Sequence, residues 1–507
     1  MDLVRELQHY FGYTQFRQGQ KEIIADVLNG FDVFGMLATG VGKSTCYLLP
    51  GYILNQPVLI VSPLLSLMED QVNQLRKKGE KRVVAINSFL NLKERKDVLR
   101  SLHYYRFIYI SPESLQNNEV LFMLKKVKWA LFVVDEAHCI SGWGHDFRTD
   151  YLKISSVHKE LNSPPLLALT ATATEAVQDD IVKQLQMRNV KKHIYSIDRS
   201  NIALSVLHFA DGFEKEQYLL KVVKKFKKPG LVYVSSRKKT EQLATLLTRN
   251  GIKRVSIYHG GMSSLDRMLI AQQFIQDELD VLVCTNAFGM GINKENIRFI
   301  IHYQFPKDIE SYMQEIGRAG RDGLQSIALL LYTPLDEQWP LTLIENELPN
   351  EQEIKEWFMH YQTSKNIQEV IQKTTLDEVK SRYLVYQAEK EGICNLQGMI
   401  RSFPSETFIQ NILNEINQRK QLKFIKLKQM KQWIHTEGCY REKLLQPFHQ
   451  TKKKQTLYCC NHCGFSIEAF YESEKMEEVE LLNWEKRLAA LFHKERGEKH
   501  EASRRNH

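Results

Sequence analysis

Short apolar runs separated by helical stretches fill the first two-thirds of the chain. DVFGMLA (32–38), VLIVSP (58–63), FIYISPE (107–113), ALFVVDEAH (130–138) and LLALTATAT (166–174) form one set. GLVYVSS (230–236), RVSIYHGG (254–261), VLVCTNAFG (281–289), FIIHYQFP (299–306) and SIALLLYT (326–333) form a second. Continuous apolar runs, each followed by a small or polar turn and a helix, predict parallel strands covered on both faces. Two consecutive sets predict two doubly wound α/β domains, with ligands at the carboxyl ends of the strands. The pattern divides the chain into residues 1–205, 206–340, a helical connector at 341–435, a cysteine-bearing module at 436–466 and a charged helical tail at 467–507. Within the connector, KNIQEVIQKTTLDEVKSRYLVYQAEKEG predicts two helices around Thr374 and Thr375. That pair is either a DNA-reading helix-turn-helix or a plain packing pair, the latter favoured, and a winged-helix-like form is one expectation for the connector as a whole.

Composition narrows the class. Of 507 residues, 43% are hydrophobic and 25% charged, which excludes wholesale disorder. No apolar run approaches the ~18 residues of a membrane span. The start, MDLVRELQHY, has no apolar leader segment, so a cytoplasmic, nucleoid-associated protein with no membrane contact is expected. The net charge of +9 resides in Arg419–Lys454, where eleven basic residues meet two acidic ones. Such a block is either a solvated helix face or a surface for a polyanion.

The cysteines also cluster. Cys439, Cys459, Cys460 and Cys463 fall within one short stretch, and in a reducing compartment such clustering points to a metal before disulfides. Four thiolates close a tetrahedral Zn2+ site with no open position, which makes the metal structural. Cys460 and Cys463 have knuckle spacing. The adjacent pair Cys459–Cys460 is less usual, and His462 in place of Cys459 is the alternative ligand.

ATGVGKS (38–44) follows an apolar strand and precedes TCYLLP, the context of a phosphate-binding loop. Gly40 and Gly42 let the backbone wrap a phosphate chain, Lys43 would neutralise the β and γ phosphates of a nucleotide, and Ser44 would ligate Mg2+. Thr39 and Thr45 complete the loop's contacts. Leu37 stands where the usual pattern has glycine. DEAH (135–138) ends a strand: Asp135 is placed to hold Mg2+ and Glu136 to orient or deprotonate the attacking water. QEIGRAGRDG (314–323) supplies Gln314 and two arginines, Arg318 and Arg321, expected on one helix. Arg321 is the leading candidate for an arginine inserted from the second domain, a contribution of on the order of 10³–10⁵ in rate.

The ordered set ATGVGKS, VSPLLSLMEDQV (61–72), YISPE (109–113), DEAH, LTATAT (169–174), YHGGM (258–262), CTNAFGMGINK (284–294) and QEIGRAGRDG resembles a superfamily-two helicase. FGYTQFRQGQ (11–20), CISGWGHDFRTDY (139–151) and the cysteine cluster preceded by CYREKLL narrow the resemblance to the RecQ family of DNA helicases, in a short bacterial form without a C-terminal accessory domain. It is dense over residues 1–335 and sparse over 435–465. The resemblance implies tandem RecA-like domains followed by a zinc-binding module. It implies that Tyr13 and Arg17 sandwich adenine while Gln20 bonds its edge. It implies an aromatic-rich loop, with Trp143, His145, Phe147 and Arg148, that couples DNA binding to hydrolysis. Thr170 and Thr172 would link the ATP site to the strand path, and Asn286 would lie in the interdomain cleft.

The implied activity is ATP-dependent 3′-to-5′ unwinding of duplex DNA in repair or recombination. The implied partners are single-stranded DNA, duplex junctions and single-strand-binding or other repair proteins, and the implied state is a monomer. Only 44 residues follow Cys463, too few for a winged helix and a further helical domain. Two rival readings remain at this level: an RNA-dependent ATPase, and a DNA-binding module that uses ATP as a latch.

Overall fold

Each of the ten apolar runs becomes a strand, because a run of this kind satisfies its backbone only inside a sheet buried on both faces. The structure, a computed structural model, describes residues 1–472 apart from 64, 88, 143–147, 290–293, 395–397, 454 and 455. The first lobe holds β1 (Val33–Met36), β2 (Val58–Val61), β3 (Val83–Ile86), β4 (Phe107–Ile110), β5 (Leu131–Val134), β6 (Leu166–Thr170) and β7 (Lys191–Ile194). The second holds β8 (Ile202–His208), β9 (Gly230–Tyr233), β10 (Val255–Tyr258), β11 (Val281–Cys284), β12 (Phe299–His302) and β13 (Ser326–Tyr332). The sheet orders are β3-β4-β2-β5-β6-β1-β7 and β10-β11-β9-β12-β13-β8. Every pairing is parallel.

Three strands escape the apolar pattern. β3 is a buried four-residue run flanked by charge. β7 reads KKHI and is mostly exposed, as suits an edge protected from further pairing by lysines. β8 corrects the expected division at residue 205. It pairs along its whole length with β13, so the second lobe begins at Ile202 and the boundary would cut a strand.

Six helices carry the argument beyond the strands: α1 (Gln20–Leu28), α2 (Thr45–Leu54), α3 (Ile309–Ile316), α4 (Gln338–Asn346), α5 (Glu351–Gln362) and α6 (Ile367–Lys373). Three more follow: α7 (Glu378–Lys390), α8 (Glu406–Ile434) and α9 (Tyr440–Leu445). α6 and α7 flank Thr374 and Thr375. Helices α5 to α7 enclose a core of their own, in which Trp357, Phe358, Tyr361, Val370 and Leu384 meet Ile412 and Ile416 of α8. Antiparallel bridges join Asn366 to Met399 and Cys394 to Ile400 beside them. The far end of α8 buries Leu427, Met430, Trp433 and Ile434 in the core that continues through the second lobe.

The basic block follows neither sequence reading in full, because much of it is paired within the molecule. Lys426 meets Glu310 at 2.6 Å, Lys431 meets Glu337 at 2.6 Å, and Lys423 meets Glu347. Arg441 meets Asp198 at 2.6 Å and Lys452 meets Glu442 at 2.7 Å. Among the described residues no helix is long and apolar enough to cross a membrane. The expected helical tail lies, from residue 473 on, outside the described residues.

Candidate functional site

The phosphate loop leaves β1 and enters α2. Leu37 is buried and its N–H bonds Thr170 O at 3.1 Å, so the position where the usual pattern has glycine continues the pairing of β1 with β6. Gly40 has φ +83°, a conformation that a side chain resists. Asp135 and Glu136 follow β5, with Asp135 N bonded to Val61 O at 2.9 Å. Lys43 Nζ lies 3.4 Å from Glu136 Oε1. Burial pushes the Asp135 carboxyl up to about 6, Glu136 adds to the shift, and Lys43 opposes it. Glu136 itself adopts a left-handed backbone, φ 48°, a strain of the kind that collects at functional sites.

A cavity of about 700 Å³ opens between the lobes. Thr39, Gly40, Gly42, Lys43, Ser44, Thr45, Asp135 and Glu136 line it from the first lobe, and Arg321 and Glu295 from the second. Arg321 passes so close to the loop that a Cβ on Gly40 would stand 3.1 Å from its Cγ. Burial lowers its pKa to about 10, with Arg318 and Arg199 acting in the same direction, so it remains charged near neutrality. Thr39 Oγ1 donates to Gly317 O at 2.9 Å across the seam. A Cβ on Gly317 would fall 2.2 Å from that Oγ1.

The two arginines are not on one helix, as the three-residue spacing suggests. α3 ends at Ile316 and the chain turns at Gly317. Arg318 therefore points into the second lobe, against Gly289. With Gln314 and Asn286 it lines a separate cavity of about 160 Å³ at the carboxyl ends of β9, β11 and β12. The structure brings Arg321 to the phosphate loop and leaves Gln314 and Arg318 out of the walls of the 700 Å³ cleft.

Tyr13, Arg17 and Gln20 line the same cleft as Lys43. Tyr13 is half exposed. Arg17 Nη1 donates to Gly40 O at 2.5 Å. Gln20 Nε2 donates to Val41 O and Gly42 O, both at 2.9 Å, and its Oε1 accepts from Arg17 N at 3.0 Å. The Gln20 amide thus braces the loop in this structure. Thr170 and Thr172 are buried, and Thr170 Oγ1 lies 3.0 Å from His138 Nδ1, which is 3.4 Å from Glu136 Oε2. Arg148 Nη1 donates to Pro63 O at 2.8 Å. Trp143, His145 and Phe147 lie outside the described residues.

The four cysteine sulfurs gather within 4.8 Å of one another. Cys439 and Cys459 are 3.6 Å apart, Cys460 and Cys463 3.6 Å, and Cys439 and Cys460 3.9 Å. A tetrahedral ion with Zn–S bonds of ~2.3 Å spaces its sulfurs ~3.8 Å apart, so this donor set fits such an ion. His462 turns away: its Nδ1 lies 2.9 Å from Glu437 O and its ring packs on Tyr440.

Sequence reasoning missed three residues here. His138 stood inside a motif already read for its acids. Glu295 and Arg199 carry no local pattern, since each acquires its neighbours only through the fold.

Residues 17–180 match the DEAD/DEAH box helicase family and residues 214–323 the helicase conserved C-terminal domain. The chain is 43% identical over 497 residues to the probable ATP-dependent DNA helicase RecS of Bacillus subtilis, covering 97% of this chain and 98% of that one. It is 40% identical over 351 residues to the ATP-dependent DNA helicase RecQ of Haemophilus influenzae, covering 68% of this chain and 56% of that one. Among solved structures, the Mycobacterium smegmatis helicase Lhr bound to ssDNA and AMP-PNP shares the fold. Its TM-score is 0.55 at 20% identity, over 68% of this chain and 49% of that one.

Proposed function

The chain belongs to the RecQ family of ATP-dependent DNA helicases, and we propose that it turns ATP hydrolysis between its lobes into 3′-to-5′ movement along one DNA strand, opening duplexes that arise in repair or recombination. One observation carries the mechanism: Lys43, Asp135 and Glu136 of one lobe share a cavity with Arg321 of the other.

ATP enters with its phosphates along the loop backbone and its adenine between Tyr13 and Arg17. Gln20, already bonded to the loop, transmits occupancy of the base site to the phosphates. Ser44 and Asp135 would hold Mg2+, which supplies positive charge to the phosphate oxygens. Glu136 orients the attacking water and takes its proton, with Lys43 Nζ 3.4 Å from its Oε1. Arg321 neutralises charge on the phosphoryl group in flight, so hydrolysis requires that the lobes be together. His138 connects Glu136 to Thr170, which gives the acid a route to the segment that ends β6. Arg148 anchors the aromatic-rich loop to Pro63. Trp143, His145 and Phe147 would report bound DNA by stacking on bases, a contact of ~1–3 kcal/mol per base that is blind to sequence. Asn286 sits at the end of β11, in reach of the strand path rather than the nucleotide.

The four thiolates would hold Zn2+ as a structural ion. Helices α5 to α7 with their small antiparallel bridges form a winged-helix-like unit ahead of the cysteine module. The chain acts as a cytoplasmic, nucleoid-associated monomer beside single-strand-binding or other repair proteins. A strand-displacement assay on 3′-tailed and 5′-tailed duplexes tests this reading. Unwinding of the 3′-tailed substrate with ATP, and none with a non-hydrolysable analogue, is expected. Equal displacement with the analogue would leave only an ATP-latched binder, and stronger stimulation of ATPase by RNA than by single-stranded DNA would reassign the substrate.

A further inference from the structure

Arg199 lies in the segment that joins the lobes, and its guanidinium touches both. It donates to Thr39 O at 3.1 Å, at the entry to the phosphate loop. It also donates to Gly317 O at 2.9 Å, Ala319 O at 2.9 Å and Gly320 O at 2.6 Å, in the turn that delivers Arg321. A planar fork of five N–H donors can serve four carbonyls at once, and an ammonium on a flexible stem cannot. Asn201, two residues on, adds bonds to Gly320 O at 2.8 Å and Leu324 O at 2.9 Å.

The segment around Arg199 is itself gripped from behind by the cysteine module. Arg441 of α9 is buried and donates to Asp198 Oδ1 at 2.6 Å, Arg199 O at 3.0 Å and Cys459 O at 3.3 Å, with a further bond to Ile202 O. Asp198 Oδ2 accepts from Lys453 N at 3.1 Å. Gln450 donates to Tyr195 O at 3.1 Å and accepts from Ile197 N at 2.9 Å. Leu204 N donates to Cys459 O at 3.1 Å. A buried ion pair contributes little net stability against an apolar replacement, but it fixes one arrangement of the groups it joins.

We propose that Arg199 is a positioning residue that registers the phosphate loop against the Arg321 turn, and that Arg441 holds Arg199 in that register, so the cysteine module governs ATP turnover through the interlobe segment. The inference rests on the reading of the cleft as the site of ATP hydrolysis. Neither arginine need touch the nucleotide.

The test uses the full chain and the variants Arg199→Met, Arg199→Lys, Arg441→Met and Arg199→Met/Arg441→Met. Four quantities are read: DNA-stimulated kcat, KM for ATP, affinity for single-stranded DNA, and melting temperature. Arg199→Met is expected to lower kcat by about tenfold or more, as misplacement of a reacting group does, while KM and DNA affinity stay within about threefold. Arg199→Lys keeps the charge without the fork and should lie between the two. It carries the test alone if the methionine variant does not fold, with a loss of about threefold or more expected. Arg441→Met should lower kcat less, and the double variant should match Arg199→Met, because a residue acting through another adds nothing once the other is gone. A kcat for either Arg199 variant within about twofold of the unmodified chain overturns the proposal, as does a double variant whose loss is the product of the single losses. If the unmodified chain shows no DNA-stimulated hydrolysis, the reading of the cleft fails instead.

Discussion

The cleft between the lobes and the cysteine cluster behind it both gather side chains for a charged guest, yet they are assembled in opposite ways. The cleft is built across distance: Thr39 and Gly317, which share a hydrogen bond at its seam, are 278 positions apart. Lys43, Asp135 and Glu136 stand on turns after strands of one sheet, and Arg321 on the turn after α3 of the other lobe. The cluster draws its sulfurs from Cys439 to Cys463, on a short stretch whose shape depends on holding them together. A metal held by the four thiolates would couple its binding to the folding of that stretch, whereas the groups of the cleft are placed by two separate sheets. Mutations should divide along the same line.

The largest expected effects fall on the cleft without touching stability. Lys43→Ala should reduce DNA-stimulated hydrolysis to background, and Arg321→Ala should cost on the order of 10³ or more in kcat. Both should leave single-stranded DNA binding and melting temperature near those of the unmodified chain. A large drop in melting temperature in either variant would dissolve the contrast. Next in size, Cys460→Ser removes the fully buried thiol of the four clustered cysteines. Metal content by elemental analysis should fall, and thermal unfolding should come earlier by several degrees, a cost of about 1–3 kcal/mol. Unchanged metal content and melting would show that the cluster is held by packing alone.

A smaller effect follows pH. Asp135 sits at about 6 against an ordinary 3.8, chiefly because of burial. The folded chain thus binds that proton more tightly than the unfolded chain does. The stability it confers is complete below about pH 4 and is lost as pH rises through about 6. In the nucleotide-free protein, Asp135→Asn should raise the melting temperature at pH 7–8, and the gain should vanish toward pH 4. The smallest effect sharpens the account of the basic block. Because Lys426 and Lys431 pair with Glu310 and Glu337, the variant Lys426→Met/Lys431→Met should change DNA affinity less than about twofold and leave its salt dependence unchanged. A pair of phosphate contacts would instead lower the salt slope by about two.

What the sequence made legible follows the same division. Strand-end motifs are short and local, so Lys43, Asp135, Glu136 and Arg321 were identifiable together with the parallel sheets that carry them. The cysteine spacing was equally local, and the geometry chose Cys459 over His462 because His462 is engaged by Glu437 and Tyr440. Arg318 was misplaced because its spacing from Arg321 assumed a helix that Gly317 ends. β7 was hidden by lysines that protect an edge, and β8 by its position in what read as a linker. The lysines of α8 looked like a surface for an anion because their carboxylate partners lie 76 to 116 positions away. Arg199 had no signal at all, since four backbone carbonyls define its place and no side-chain pattern encodes them.

Gly317 has the widest consequence of these details. Where it meets Thr39 the second lobe presents bare main chain to the hydroxyl of the first, at a spacing too close for a methyl group. Any larger residue there would act as a doorstop, propping the jaws ajar just short of the point where the fuel is broken. The closeness of the two jaws at this point is therefore set by the one amino acid that has nothing to put in the way.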